Sequence, residues 1–154
     1  MLTYDCKRRR VRFIELKNKI KIAYFECGSD KKGTILLFTD WLIIYGYGNG
    51  IWPALTGKYR CIAIDLPGNG FSSRGDYPYS IRFFSEIVTE LITTMKLSNV
   101  TIAGHSMGGQ IGLQLAIDRG QRIDKLILSA PSGFEYTLRM MQPCLNRLSP
   151  LAIF

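Results

Sequence analysis

Histidine is nearly absent from this sequence, which has one, His105, in 154 residues. The four cysteines, Cys6, Cys27, Cys61 and Cys144, are scattered and form no Cys-x-x-Cys pair. A zinc-type centre needs clustered thiolate and imidazole ligands, so no metal site is expected and no cofactor is implied. Two of the cysteines fall in apolar, strand-like runs, where a thiol behaves as a small hydrophobe. All four are expected to be reduced, which goes with a cytoplasmic location.

Long apolar runs are missing as well. The longest mainly apolar stretch, from Ile35 to Tyr47, is interrupted by Asp40 and falls short of the roughly 18 residues a membrane span requires. Lys7, Arg8, Arg9 and Arg10 follow the first residues directly, with no apolar segment or small-residue cleavage site behind them, so a secretory signal is not expected. Acidic residues are the scarcer charge, 12 against 20 Lys and Arg, for a net charge of +8. The excess is densest from Lys7 to Arg12. Aromatic residues do not interleave with it as a base-stacking platform would demand, so residues 1–10 read as a solvated basic arm and nucleic acid is not an expected partner.

What is present is a globular composition, 47% hydrophobic and 21% charged, in a chain of one-domain length able to bury about 70% of its unfolded surface. Val11, Phe13, Ile14 and Leu16, then Ile20, Ile22, Tyr24 and Phe25, form two short strand-like runs joined by a polar turn at Lys17, Asn18 and Lys19, which predicts a hairpin. Thr34 to Phe38 and Tyr59 to Ile64 are continuous apolar runs of the kind found in strands buried on both faces. Between them lies a Gly-rich loop, Gly46 to Gly50, and a short helical piece that runs to Leu55.

Ile81, Phe84, Val88, Leu91 and Met95 recur at steps of three and four, which predicts an amphipathic helix with Ser80 as its N-cap. Val100 to Ala103 reads as a strand, Met107 to Arg119 as a helix closed by Gly120, and Lys125 to Ala130 as a further strand. This alternation predicts the α/β class, a mainly parallel sheet flanked by helices with an antiparallel hairpin at one edge. Residues 11–133 form this domain. Residues 134–154 are an apolar tail, broken by Pro143 and Pro150, in which a cap or lid region would begin.

Gly104-His105-Ser106-Met107-Gly108 lies between a predicted strand and a predicted helix, the context that a G-x-S-x-G nucleophile elbow requires. A serine on so tight a turn adopts strained backbone angles. Gly104 and Gly108 remove the Cβ atoms that would collide with the neighbouring strand and helix. The turn sets Ser106 at a helix N-terminus, where the Met107 backbone N–H and the helix dipole stabilise an oxyanion developing on an attacked carbonyl.

A second motif, Asp65-Leu66-Pro67-Gly68-Asn69-Gly70-Phe71-Ser72, looks like the D-x-P-G-x-G-x-S loop of the α/β-hydrolase superfamily, and with the elbow it makes the chain resemble that superfamily from about Val11 to Ser132. The resemblance implies a serine hydrolase acting on a small-molecule ester or similar acyl substrate, with Ser106 as nucleophile and the Trp41 N–H as second oxyanion donor. Thr39-Asp40-Trp41 departs from the His-Gly of many members, and a carboxylate at Asp40 would oppose catalysis unless it faces solvent or a cation. The family's acid and histidine follow later strands, so this chain is expected to lack the C-terminal strands and to be nearly inactive alone.

His105 precedes Ser106 in the same turn, projects elsewhere and is not expected to act as its base. Glu135, the one carboxylate after the strand at 125–130, has no histidine to orient and reads as a surface residue. Asp65 reads as shaping its loop. A non-catalytic module, binding a partner chain or an apolar ligand, is the competing reading, because an unpaired sheet edge after that strand would promote self-association.

Overall fold

The computed structural model describes residues 10–28, 32–38, 54–118 and 123–133, together with the backbone of Ala152 and Ile153. In chain order the elements are β1 (Arg12–Glu15), β2 (Lys21–Gly28), β3 (Thr34–Phe38), β4 (Arg60–Ile64), α1 (Ile81–Thr94), β5 (Val100–His105), α2 (Met107–Ile117), β6 (Ile123–Ser129) and β7 (Ala152–Ile153). The strands form one sheet in the order β1-β2-β4-β3-β5-β6-β7. β1 with β2 and β2 with β4 pair antiparallel, and every other pair is parallel. The expected hairpin therefore lies at one edge of a mainly parallel sheet.

Local signals account for most element ends. The first hairpin turns where the Lys19 N–H donates to the Leu16 carbonyl and Lys19 takes φ 66°. The Ser80 Oγ accepts from the Phe83 N–H at 3.1 Å, so this residue caps α1 as the sequence predicts. The helix buries Phe84, Ile87, Val88, Leu91 and Ile92. Ile81 and Met95 are only half-buried at its ends. The buried Ser85 hydroxyl donates to Asp118 at 3.0 Å, joining α1 to the end of α2.

α2 lies on β5 and β6. A methyl group on Gly112 would stand 2.9 Å from Leu126 Cδ1 and 3.3 Å from Ile102 Cγ2, so the missing side chain lets helix and sheet approach closely. The central strands carry the core. Leu36, Phe38, Cys61, Ile62, Ala63, Val100 and Ile102 are fully buried, as expected for parallel strands covered on both faces.

Three expectations change. β6 starts at Ile123 and stops at Ser129 because Ala130 enters the left-handed region at φ 41°. The edge of β6, expected to be unpaired, is met by β7 at Ile127 and Leu128, so the end of the tail returns to the sheet as one further short strand. Cys27 is disulfide-bonded rather than reduced, because cysteine spacing says nothing about which thiols the fold brings together. Cys61, its register neighbour on β4, is a buried free thiol whose pKa burial pushes up to about 11. The basic arm through residue 9, the Gly-rich loop, Cys6, Cys144 and the tail from 134 to 151 lie outside the described residues.

Candidate active site

The strand order decides where a site can form. From β3 the chain proceeds to β4 on one side, and from β5 to β6 on the other. In open α/β sheets such a reversal opens a crevice at the carboxyl ends of the two strands between which it occurs, and ligands bind there. Phe38 ends β3 and is the register partner of Gly104 on β5, so the elbow stands at that crevice.

Ser106 has φ 53° and ψ −121° between the last residue of β5 and the first of α2. This combination lies far from helix or strand, costs roughly 1–3 kcal/mol and persists only where neighbours enforce it. They do. The Ser106 N–H donates to the Ser129 carbonyl of β6 at 3.0 Å, and its own carbonyl accepts from Gly109, Gln110 and Ser132. The Ser106 side chain makes no cap bond to α2. Met107 is the first residue of α2, so its N–H belongs to the group that has no partner within the helix.

The glycines around the serine are explained by contact. A Cβ on Gly104 would lie 2.2 Å from the Gly108 carbonyl oxygen and 2.7 Å from the Gly109 nitrogen. Gly108 thus enters the elbow through its backbone, which occupies the space that Gly104 leaves. Gly109, to which the sequence reading gives no role, abuts Pro131: a methyl group there would come within 2.6 Å of Pro131 Cβ. The Gly-Gly pair was visible in the sequence, but its partner some twenty residues on was not.

His105 and Ser129 are register partners at the ends of β5 and β6, and His105 Nδ1 lies 3.2 Å from Ser129 Oγ. That ring nitrogen is directed at β6. Trp41, Asp40 and Glu135 lie outside the described residues. Among the described residues no group of three or more His, Cys, Asp or Glu could hold a metal ion, and no helix is long and apolar enough to cross a membrane.

Asp65 directly follows β4 and is buried, at 4% exposure. One carboxylate oxygen accepts the Phe71 N–H at 2.9 Å, and its carbonyl accepts the buried Ser72 hydroxyl, which in turn accepts the Ala23 N–H. The carboxylate closes the 65–72 loop onto itself and Ser72 ties that loop to β2, consistent with a loop-shaping role. Desolvation by burial raises the Asp65 pKa above 3.8, against the Phe71 hydrogen bond and the Arg74 charge, which lower it.

The folded chain therefore holds this proton to higher pH than the unfolded chain. The associated stability is present at low pH and is lost as the pH rises from 3.8 through the folded value. Asp65→Asn keeps an acceptor for Phe71 and cannot ionise. Urea unfolding between about pH 4 and pH 7 is expected to show the variant gaining on the native chain as pH rises, then levelling off. A difference that stays constant over this range would contradict the burial effect.

A strand-order reversal with a strained serine between strand and helix beside it defines an α/β-hydrolase type of architecture. The family model described as alpha/beta hydrolase fold matches residues 42–146, more than half of the chain, and the chain belongs to that family. It is 34% identical over 118 residues to the dihydrolipoyllysine-residue acetyltransferase component of the acetoin cleaving system of Pseudomonas putida, covering 73% of this chain and 30% of that protein.

A hydrolase from Pseudomonas aeruginosa superposes with a TM-score of 0.71 at 25% identity, covering 91% of this chain and 54% of that one. A serine hydrolase involved in carbazole degradation does so with a TM-score of 0.69 at 26% identity, covering 81% and 49%. The chain spans about three tenths of the length of curated relatives such as these and about half of the solved hydrolases.

Proposed function

We propose that this chain carries the nucleophile of a serine hydrolase that acts on a carboxylic ester or similar acyl substrate. The observation that supports it most is Ser106 at φ 53° and ψ −121°, between β5 and α2 beside the strand-order reversal. The serine oxygen attacks the acyl carbon as its proton passes to a general base; that base returns the proton to the leaving oxygen, the ester C–O bond breaks, and the alcohol departs while the acyl group stays on Ser106. Water then releases the acid. The Met107 N–H at the start of α2 faces the negative charge formed on the carbonyl oxygen, helped by the helix dipole. Trp41, shortly past the end of β3, supplies the second N–H.

The serine hydrolase named among the solved relatives supports the same chemistry. The non-catalytic reading rested on an unpaired sheet edge, which β7 meets at two residues.

The sole histidine neighbours the nucleophile in sequence and points Nδ1 at Ser129. Loss of the base from a triad costs several orders of magnitude in rate. The 154-residue chain is therefore expected to hydrolyse p-nitrophenyl acetate scarcely faster than its Ser106→Ala variant. A fluorophosphonate probe is expected to label it slowly, at Ser106 alone, with no label in the variant. Labelling that survives Ser106→Ala would refute the nucleophile assignment. Rapid stoichiometric labelling lost in the variant would instead show that these 154 residues already contain an effective base.

A further inference from the structure

The carboxyl end of β6 meets the elbow at four points. The Ser106 N–H donates to the Ser129 carbonyl at 3.0 Å, and the Ser132 N–H donates to the Ser106 carbonyl at 3.1 Å. Ser129 Oγ lies 3.2 Å from His105 Nδ1, and Pro131 fills the space beside Gly109. Between them Ala130 takes φ 41°. Two non-glycine residues in the left-handed region, Ser106 and Ala130, thus stand at the ends of neighbouring strands, and Ser106 is bonded to residues on either side of Ala130.

We propose that the 129–132 turn positions the nucleophile, with Ser129 as its positioning residue; this rests on the reading of Ser106 given above. A serine outside the ordinary backbone regions relaxes unless its surroundings over-determine it. β5 ends at His105, and α2 bonds back to the elbow through the Gly109 and Gln110 N–H groups, which donate to the Ser106 carbonyl. The N–H of Ser106 is held from β6, and its carbonyl is shared between α2 and the 129–132 turn. Ser129 adds a hold on the adjoining residue through the imidazole. Its side chain touches no reacting atom in this scheme, and its effect passes through His105 and the Ser106 backbone.

Ser129→Ala removes only the hydroxyl, and Ser129→Thr returns it. Because His105 is the only histidine, its imidazole nitrogens give one set of NMR signals, which report directly on the Nδ1 contact. In Ser129→Ala the Nδ1 signal is expected to move, and amide exchange in the 104–110 peptide to quicken about fivefold, the factor one hydrogen bond supplies. Fluorophosphonate labelling of Ser106 is expected to slow by about the same factor. The melting temperature should fall by no more than about 3 °C, as suits one exposed bond. Ser129→Thr should restore all three readouts to within about twofold of the native values.

Native labelling and elbow exchange in Ser129→Ala would overturn the proposal, as would a loss that Ser129→Thr fails to recover. If the native chain takes no label at Ser106, the nucleophile reading fails by itself. The exchange and imidazole signals then still decide whether the turn holds the elbow.

Discussion

Gly104→Ala is expected to destroy the elbow. The added methyl group would meet the Gly108 carbonyl oxygen at 2.2 Å, the Gly108 carbonyl carbon at 2.4 Å and the Gly109 nitrogen at 2.7 Å, all main-chain atoms of the first turn of α2. No side chain can rotate away to relieve this, so α2 must move by about 1 Å to restore ordinary contact. Gly104 lies within β5, paired with β3 on one side and β6 on the other, and cannot retreat. The cost should reach about 3 kcal/mol or more, lowering the melting temperature by about 10 °C.

A displacement of this size at a reacting atom costs about a hundredfold in rate, so Ser106 labelling in the protein still folded should become undetectable. Circular dichroism melts and intact-mass labelling check both parts. A variant that melts within about 2 °C of the native chain and labels normally would mean that strand and helix are not in the close contact described.

Gly28→Ala is expected to lower stability as much and to leave the serine untouched. Gly28 closes β2 at φ 95°, where an L side chain is strained in any surroundings. Its methyl group would also lie 2.2 Å from the Tyr59 carbonyl oxygen and 2.9 Å from that of Thr56, in the turn that leads into β4. Strain and clash together place the loss at about 3 kcal/mol or more. Gly28 pairs with Arg60 at the amino end of β4, the end of the sheet opposite the elbow. Labelling of Ser106 per folded molecule should therefore match the native rate, by the same mass analysis. A parallel loss of labelling would mean that the reactivity of Ser106 follows global stability rather than local geometry.

Much of this molecule is written locally and could be read without coordinates. Alternating and continuous apolar runs mark the strands because a strand's faces are set by its own residues. Ser80 marks the start of α1 because a hydroxyl caps an N–H three residues away. Gly104, Ser106 and Gly108 mark the elbow because its crowding arises within five residues. The Asp65 to Ser72 motif likewise closes through bonds spanning six or seven residues. The end of β6 was harder to place, since it depends on where the backbone turns left-handed, at Ala130.

The amino-acid sequence by itself determined the α/β class, the hairpin, the helix cap and a strand-turn-helix serine, because each follows from neighbours a few residues apart. Only the tertiary structure decided that β3 sits between β4 and β5, which puts the order reversal beside the serine. It alone paired Gly109 with Pro131 and His105 with Ser129, brought β7 back to β6, and placed Cys27 in a disulfide. These contacts join residues far apart along the chain. No periodicity or local propensity encodes which distant partners meet, because that choice is made by the packing of the whole sheet and its helices.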